Sequence, residues 1–307
     1  MNSRAQAEAA AHNPMARVAA RLTSLIPTRW QWRARGLIER LATGMTRGGC
    51  GYHKVRRVGL SWNLRPSDEV DRDLFWFGNK EAGDWRLCRS LLSPGDTILD
   101  VGCNFGYYAL TFARALRRQC LIHAFEPNPP TYRRLCEHIQ MNRMRCIRAH
   151  GVGLGLEDAV FDMHSSSENS GAAYLVAPGS ASVAGHISVT SLDKFALAHG
   201  IRRIDFIKVD IEGHECFFLD GAKETLGRIG PPMMMEIHPE ALARNGHVPG
   251  DLFGRLRELG YREFYYRRVN VLLPYDEQAF EGGYIYHNVF CFRERSHGGS
   301  VDPMATR

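Results

Sequence analysis

One stretch of the chain combines glycines and a carboxylate in a pattern that suits ligand binding. The motif Asp100-Val-Gly102-Cys-Asn104-Phe-Gly106 overlaps the end of the apolar run TILDV at 97–101. Glycines between a strand and a helix let the backbone turn sharply and approach a ligand, and the helix N-terminus offers free N–H donors. The two glycines are four residues apart, so the G-x-G-x-x-G spacing of dinucleotide-binding loops is not matched.

The acid at the end of that run decides which ligand suits the loop. A carboxylate at Asp100 disfavours a pyrophosphate but stabilises a cationic ligand, such as the amino group and sulfonium of S-adenosylmethionine. The next predicted strand ends at Glu126, where a carboxylate can accept hydrogen bonds from both ribose hydroxyls of an adenosine. A tight turn and a capping acid explain each feature alone, but together on adjacent strands they favour nucleoside binding.

A second set of polar side chains follows the later apolar runs. Lys208 and Asp210 lie in IDFIKVD, Glu212 follows two residues on, and His238 ends PMMMEIH. Because ligands of an open α/β sheet bind outside the carboxyl ends of the strands, these groups are aimed at one cleft. We predict Asp210 as the base or acceptor-orienting group, with Glu212 and His238 as the next candidates. Lys208 is the predicted partner that tunes a carboxylate.

Structural roles compete with each of these assignments. Lys208 and Asp210 can form an ion pair with no catalytic part, and His238 precedes a proline and can cap the next helix. Glu212 can lie in an ordinary turn before a helix. Asp210, Glu212 and Glu236 can also hold a divalent cation. Nothing in their spacing demands one, so we predict no metal.

The order of apolar and amphipathic segments indicates what positions these residues. From residue 97, short apolar runs alternate with amphipathic stretches, which is typical of a parallel sheet wrapped by helices. The predicted strands are 97–101, 120–126, 145–150, 204–210 and 232–238, and the predicted helices are 107–117, 129–141, 192–199, 214–227 and 251–259. Residues 151–190 look irregular or hairpin-like, and aromatic strands at 261–268 and 284–292 form an antiparallel pair. The pattern predicts one α/β domain.

Several of these stretches resemble the FkbM family of methyltransferases, over roughly residues 57–292. The most specific is Lys208-Val-Asp210-Ile-Glu212-Gly213-x-Glu215, which follows a Ser-Leu-Asp. The others are DTILDVGCNFGYYAL (96–110), AFEPNP (124–129), NSG (169–171), SLDKF (191–195) and MMMEIH (233–238). The resemblance implies a class I methyltransferase (Rossmann-like) fold: a seven-stranded sheet, mostly parallel with an antiparallel last strand and helices on both faces.

The resemblance also implies a cofactor and an activity. The cofactor is S-adenosylmethionine, and the reaction is O-methylation of hydroxyls, typically on sugars or natural-product intermediates. By that analogy Asp100, Gly102, Asn104 and Gly106 line the methionine end of the cofactor, and Glu126 holds its ribose.

Three further positions are weaker candidates. Asn169 and Gly171 match the family's Asn-Ser-Gly stretch and are expected to line the cleft, although a serine-rich turn with no ligand role explains them nearly as well. His214 departs from the small residue common at that place in the family, and either contacts substrate or is merely exposed.

The net charge of +6 is unevenly distributed along the 307 residues. Residues 1–60 carry 11 Lys/Arg against Glu8 and Glu39, whereas the other 247 residues carry 28 Lys/Arg against 31 Asp/Glu. A nucleic-acid enzyme more often spreads positive charge over its working domain. We therefore expect no nucleic-acid partner. We predict a basic helical leader at 1–56, a methyltransferase domain at 57–293 and a polar tail at 294–307.

The leader carries its own pattern. Val18, Leu22, Leu25 and Ile26 share one helical face, and arginines occupy other positions of the segment 15–44. The segment is read as helices that cover the domain or gate its cleft, as an amphipathic helix on an anionic membrane, or as an Arg-rich organellar presequence. The sequence leaves all three open.

Cysteine usage bears on the compartment. None of the eight cysteines forms a C-x-x-C pair, and several lie in apolar stretches where a thiol acts as a small hydrophobe. No run approaches the ~20 apolar residues of a membrane span. We therefore expect reduced cysteines in a cytoplasmic protein.

The sequence thus predicts an S-adenosylmethionine-dependent O-methyltransferase that acts on a small-molecule or glycan hydroxyl. Two alternatives stay open: an NAD-dependent Rossmann-fold oxidoreductase, and a binding protein of the same fold without turnover. The acceptor and the oligomeric state are not encoded in any recognisable pattern.

Overall fold

The computed structural model describes residues 51–164, 174–176, 185–268, 271–275 and 287–293. Within those residues, no helix is long and apolar enough to cross a membrane. The strands are β1 His53–Arg57, β2 Leu60–Leu64, β3 Thr97–Val101, β4 Leu121–Phe125, β5 Ile147–His150, β6 Gly153–Gly155, β7 Ala159–His164, β8 Tyr174–Val176, β9 Gly185–Ser191, β10 Phe206–Val209, β11 Met233–Ile237, β12 Tyr261–Arg268, β13 Val271–Pro274 and β14 His287–Arg293. The helices are α1 Glu69–Phe77, α2 Ala82–Leu91, α3 Tyr107–Ala115, α4 Pro129–Met141, α5 Leu192–Ala198, α6 Glu215–Asp220, α7 Lys223–Ile229, α8 Pro239–Arg244 and α9 Pro249–Glu258.

The main sheet has the strand order β13-β12-β14-β11-β10-β3-β4-β5. Strands β11, β10, β3, β4 and β5 run parallel, and β14 runs antiparallel to both β11 and β12. The central strands β10 and β11 are buried along their whole length, as expected for strands covered by helices on both faces. The predicted seven-stranded sheet with a reversed last strand is confirmed, with one additional edge strand, β13.

The sequence-predicted elements differ from the structure mainly at their ends. Helix α4 has the predicted bounds, with prolines in its first turn, where a missing N–H costs nothing. The predicted helix at 214–227 is instead two short helices, α6 and α7, because the chain turns at Gly221, where a Cβ would lie 1.9 Å from the carbonyl oxygen of Gly155. The predicted helix at 251–259 begins two residues earlier, at Pro249.

A second sheet with the order β6-β9-β7-β8 occupies the region read as irregular or hairpin-like. The predicted turn at 156–158 lies between β6 and β7, but these two strands do not pair with each other. Both pair with β9, β6 in parallel and β7 antiparallel.

The N-terminal hairpin, formed by β1 and β2, packs against the sheet together with the helices α1 and α2. The sequence analysis assigned no elements to these residues. Trp62 of β2 is fully buried, and the neighbouring Asn63 N–H donates to Nε2 of His138 on α4 (2.9 Å). The other ring nitrogen of His138, Nδ1, lies 2.8 Å from the carbonyl oxygen of Phe105. Because Nε2 accepts, Nδ1 carries the proton, so a neutral imidazole links the hairpin to the loop after β3.

The hairpin also bears on the predicted domain limits. Strand β1 spans residues 53–57, so it lies on both sides of the predicted boundary between leader and domain. The limits at 56/57 and 293/294 stay predictions.

The buried histidines His123 and His138 are expected to contribute a loss of stability as the pH falls from 7 to 5.5, opposite in sign to the contribution of the buried carboxyl groups with raised pKa values. Burial lowers the pKa of both His123 and His138 to about 4, whereas an unfolded histidine takes up a proton near pH 6.5. At these two positions the unfolded state therefore binds more protons in this range, and each of the two histidines costs about 1 kcal/mol of unfolding free energy. Urea unfolding at a series of pH values measures the slope.

The matched variant is His123→Phe, which keeps a ring against His150 but cannot titrate. Between pH 7 and 5.5 the unfolding free energy of this variant should change by about 1 kcal/mol in the stabilising direction relative to that of the wild type, which is the share of one histidine. An unchanged slope would contradict the assignment.

Candidate functional site

The loop after β3 packs directly on the end of β10. Gly102 has φ +71°, and a Cβ there would lie 1.8 Å from the carbonyl oxygen of Asp210. The amide of Asp210 in turn donates to the carbonyl of Val101 (3.0 Å). Only glycine combines the left-handed φ with so close a backbone approach, so Gly102 brings the glycine loop and the acidic end of β10 together at the place of the predicted cleft.

Asp100 is fully buried beneath this loop. Its Oδ2 accepts a hydrogen bond from the amide of Ala109 in the first turn of α3 (2.9 Å). Its Oδ1 is buried and has no hydrogen-bond partner within the described residues. Burial raises the pKa of Asp100 to about 6, against the opposing charge of Lys208. A buried acceptor without a hydrogen-bond partner costs free energy of folding. This oxygen therefore indicates a binding site for a ligand with hydrogen-bond donors.

Glu126 closes the other side of the loop. Its Oε2 accepts from the amide of Asn104 (3.0 Å) and its Oε1 from the amide of Asn128 (2.9 Å). Burial raises the pKa of Glu126 to about 7, although the two amide hydrogen bonds oppose that rise. Each carboxylate oxygen keeps a second lone pair for a ligand hydroxyl.

Asn104 and Gly106 shape the turn itself. Asn104 has φ +50°, a conformation that asparagine tolerates better than most residues, and its Oδ1 accepts from the amide of Phe105 (2.7 Å). Gly106 (φ +92°) is the N-cap residue that precedes α3, and a Cβ there would lie 2.6 Å from Leu110 and from Leu135. All five residues predicted to bind the cofactor therefore lie at or near the carboxyl ends of the neighbouring strands β3 and β4. Gly106 is also required by the packing around it.

A buried lysine binds the acids of the cleft together. Lys208 is 4% exposed, and its Nζ lies 2.8 Å from Oδ2 of Asp210 and 3.4 Å from the carbonyl oxygen of Gly102. Burial alone would lower the pKa of Lys208, but Asp210 and Asp100 outweigh it and the pKa is raised. The lysine is therefore charged, and the predicted ion pair exists.

The ion pair also sets the protonation of Asp210. Burial alone would raise its pKa, but the Lys208 ammonium and a hydrogen bond with Glu236 hold the pKa below the ordinary value. Asp210 is therefore ionised at neutral pH and is a weak base.

Three carboxylates meet beside the lysine. Oxygen atoms of Asp210, Glu212 and Glu236 all lie within 4.8 Å of one another. Oxygen clusters of this kind can hold a divalent cation, but the Lys208 ammonium already compensates Asp210. The prediction that no metal binds stays a prediction.

Glu212 differs from Asp210 in its electrostatics. Burial, with Asp210 and Glu215 as neighbouring negative charges, raises the pKa of Glu212 to about 7. Its backbone has φ +55°, a conformation that costs a non-glycine residue free energy and is concentrated at functional sites. Glu212 is therefore poised to exchange a proton near neutral pH.

The tertiary structure gives Glu215 a role that its place in the sequence motif does not reveal. Its Oε1 accepts from the amides of Ile211 (3.2 Å) and Gly213 (3.3 Å). The side chain is buried at the start of α6 and thereby holds the backbone on both sides of Glu212. No spacing in the sequence indicates this loop-holding contact.

The two candidate histidines lie at helix N-termini. Nδ1 of His238 accepts from the amide of Ala241 (3.3 Å) and caps α8, which is the structural alternative weighed for it; a catalytic role for His238 stays a prediction. His214 precedes α6, and burial together with Arg244 lowers its pKa to about 4, so it is neutral.

Lys80 and Glu81, between α1 and α2, are site residues that the sequence analysis missed. The Lys80 amide donates to the hydroxyl of Tyr107 (3.1 Å), and the Tyr108 hydroxyl donates to Glu81 (2.7 Å). Burial alone would lower the pKa of Lys80, but the charges of Glu81, Asp210 and Glu236 raise it. The lysine therefore lies near the acidic cluster, although no motif surrounds it in the sequence.

The remaining two candidates, Asn169 and Gly171, lie outside the described residues. Their predicted place in the cleft stays a prediction.

Comparison with known proteins identifies one family. The sequence model of the Methyltransferase FkbM domain matches residues 100–263. The chain is 31% identical over 167 residues to the 2-O-methyltransferase NoeI of Sinorhizobium fredii, covering 48% of this chain and 67% of that protein. It is 30% identical over 160 residues to the hexuronic acid methyltransferase AglP of Haloferax volcanii, covering 51% of this chain and 63% of that protein. It thus spans about two thirds of the length of these relatives.

Among solved structures, a methyltransferase FkbM from Methylobacillus flagellatus is 17% identical. The match covers 66% of this chain and 44% of that chain, with a TM-score of 0.43.

Replacing Gly102 by alanine is expected to destabilise the protein by more than ~3 kcal/mol, because the new methyl group would overlap the Asp210 carbonyl as well as strain the backbone. Gly95→Ala is the matched control: Gly95 also has a positive φ, +95°, but a Cβ there meets nothing within 4 Å. It should cost only about 1 kcal/mol. Urea unfolding compares the two, and equal losses would show that the close approach of the loop to β10 is unimportant.

Proposed function

Because this chain belongs to the FkbM methyltransferase family, we propose that it transfers a methyl group from S-adenosylmethionine to a hydroxyl of a sugar or glycan. S-adenosylmethionine is the methyl donor of that family. The observation that carries the proposal is the meeting of two sets of groups across Gly102. The glycine loop after β3, with Asp100 and Glu126, lies on one side of Gly102, and the acids Asp210 and Glu212 lie on the other side.

The residues of the loop fit this cofactor. When bound, S-adenosylmethionine supplies an activated methyl group on a sulfonium. The unpartnered Oδ1 of Asp100 offers an acceptor for a positively charged amino group, and Glu126 offers lone pairs for ribose hydroxyls.

The acidic side of the cleft suits deprotonation of an acceptor hydroxyl. Methyl transfer requires the acceptor oxygen to be aligned with the methyl group and to lose its proton. Asp210, ionised and fixed by Lys208, orients the hydroxyl through a hydrogen bond. Glu212, whose pKa is about 7, takes the proton, because a base is most effective when its pKa lies near the working pH.

A sugar acceptor is supported by the two relatives. One is named as a 2-O-methyltransferase and the other as a hexuronic acid methyltransferase. Lys80 adds a cation beside the acidic cluster, where it can contact a polar substituent of the acceptor.

We further propose a domain organisation and a cellular location for the enzyme. Residues 57–293 form the methyltransferase domain, between the basic leader at 1–56 and the polar tail at 294–307. The leader contacts a membrane surface, and the enzyme works in the cytoplasm. In support, the seven cysteines of the described residues are all free thiols, as is usual in reducing compartments.

Glu126→Gln should weaken binding of S-adenosylhomocysteine by roughly 1–3 kcal/mol, the scale for unpairing a hydrogen bond to a charged group. Calorimetry measures the affinity, and Glu137→Gln on the exposed side of α4 is the control that should leave it unchanged. Unchanged affinity in Glu126→Gln would refute the ribose assignment. Tighter binding of NADH than of S-adenosylhomocysteine by the wild type would favour the oxidoreductase alternative.

The turnover number of the wild type should rise with pH through about 7, because Glu212 must be ionised to accept a proton. Glu212→Gln should lower kcat by roughly 10²–10⁴-fold, and the kcat that remains should no longer rise with pH near 7. In Asp210→Asn, kcat should still rise with pH, but the rise should occur at lower pH because a negatively charged neighbour of Glu212 is removed.

The assay is transfer of labelled methyl from S-adenosylmethionine to a panel of neutral sugars and uronic acids, with mass identification of the product. Glu224→Gln, an exposed acid on α7, is the control. If kcat of Glu212→Gln still rises with pH through about 7, Glu212 is not the base. Absence of any methylated sugar with a cofactor-binding wild type would favour the non-catalytic alternative.

A further inference from the structure

Three segments of the described chain carry positive charge without any acid. They are residues 55–61, 113–120 and 142–147, and none contains Asp or Glu. Their six exposed cationic side chains are Arg56, Arg114, Arg117, Arg118, Arg143 and Arg145. We refer to these six arginines as the basic edge.

Contacts between the segments place the basic edge on one surface. The Asn142 side chain exchanges two hydrogen bonds with the backbone of Ser61, at 2.8 and 2.7 Å, and Ser61 pairs with Arg56 across the hairpin. Arg118 reaches the carbonyl of Asn142 (3.5 Å). At the hairpin turn, a Cβ on Gly59 would lie 2.4 Å from the guanidinium of Arg114. The three segments therefore form a continuous face.

This face lies opposite the cleft. Residues 113–120 join α3 to the start of β4, and residues 142–147 join α4 to the start of β5. The glycine loop and Glu126 follow the other ends of β3 and β4. Because these strands are parallel, the basic edge lies at their amino ends and the cleft lies at their carboxyl ends. A ligand bound at the basic edge is not the molecule that is methylated.

A cluster of six exposed arginines attracts an anionic surface. A membrane fits better than a nucleic acid for two reasons. The chain enters β1, beside Arg56, from the segment 15–44, whose sequence combines arginines with apolar residues at the spacing of an amphipathic membrane-surface helix (Val18, Leu22 and Leu25). A nucleic acid on this face would also be held away from the cleft, where a nucleic-acid-modifying enzyme needs it.

We propose that the basic edge docks the folded domain on an anionic phospholipid surface, with the cleft facing away from the lipid. The basic edge supplies the charge that holds and orients the domain. This surface is separate from the methyl-transfer site and does not depend on which acceptor is used.

The test is co-sedimentation of the full-length protein with vesicles of phosphatidylcholine containing 30 mol% phosphatidylglycerol, against vesicles of phosphatidylcholine alone. The variant Arg117→Glu/Arg118→Glu/Arg145→Glu reverses three charges of the basic edge. The matched control Arg86→Glu/Arg133→Glu/Lys194→Glu makes the same change in net charge at exposed positions outside the three segments. Circular dichroism and thermal midpoints verify that both variants fold.

The wild type and the control should bind the anionic vesicles, lose most of that binding at about 0.5 M salt, and bind phosphatidylcholine weakly. The basic-edge variant should bind the anionic vesicles at least roughly tenfold more weakly than the control, since each basic residue near such a surface contributes about fivefold. Equal weakening in the two variants, or no preference of the wild type for anionic lipid, overturns the proposal. Tighter binding of single-stranded RNA than of vesicles through the same arginines also overturns it.

Discussion

The candidate site depends on one buried ammonium group. Lys208 lies between the loop after β3 and the end of β10, 2.8 Å from Asp210 and 3.4 Å from the Gly102 carbonyl. Taking such a charge out of water costs several kcal/mol unless it is paired. The pairing with Asp210, in the field of Asp100, compensates that cost and keeps Asp210 ionised. Removing the ammonium would leave several acids crowded together, and their pKa values would rise until some were neutral.

The same lysine separates the roles of two neighbouring acids. Asp210 contacts the ammonium directly and is held ionised, whereas the pKa of Glu212, two residues on and influenced mainly by burial and other acids, is about 7. Two carboxylates with pKa values moved apart are a common arrangement for a group that orients and a group that exchanges a proton. The division comes from their surroundings, since the two side chains have nearly the same intrinsic pKa.

The N-terminal hairpin is a further support of the loop. The neutral His138 ring joins Asn63 of the hairpin to the Phe105 carbonyl of the glycine loop, and the buried pair of Asp71 and Arg134 fixes α1 to α4. Between them these contacts connect a segment outside the matched family region to the place where the cofactor is proposed to bind. The same hairpin contributes to the basic edge at the opposite side of the sheet, so one element bears on both surfaces.

The order of residue types along the chain is sufficient to predict the central sheet and which polar groups lie at the carboxyl ends of its strands. Alternating apolar runs and amphipathic stretches fix a parallel sheet, and the strand ends then place Asp100, Glu126 and Asp210 at one edge, because parallel strands share their carboxyl ends. Tertiary contacts, by contrast, set the pairing of the second sheet, the ends of α6 and α7, and the places of Lys80 and Glu215. These features arise from contacts between residues far apart in sequence or from backbone approach, as at Gly221, which leave no periodic pattern. The pKa difference between Asp210 and Glu212 belongs to the same class, because burial and neighbouring charges exist only once the chain has folded.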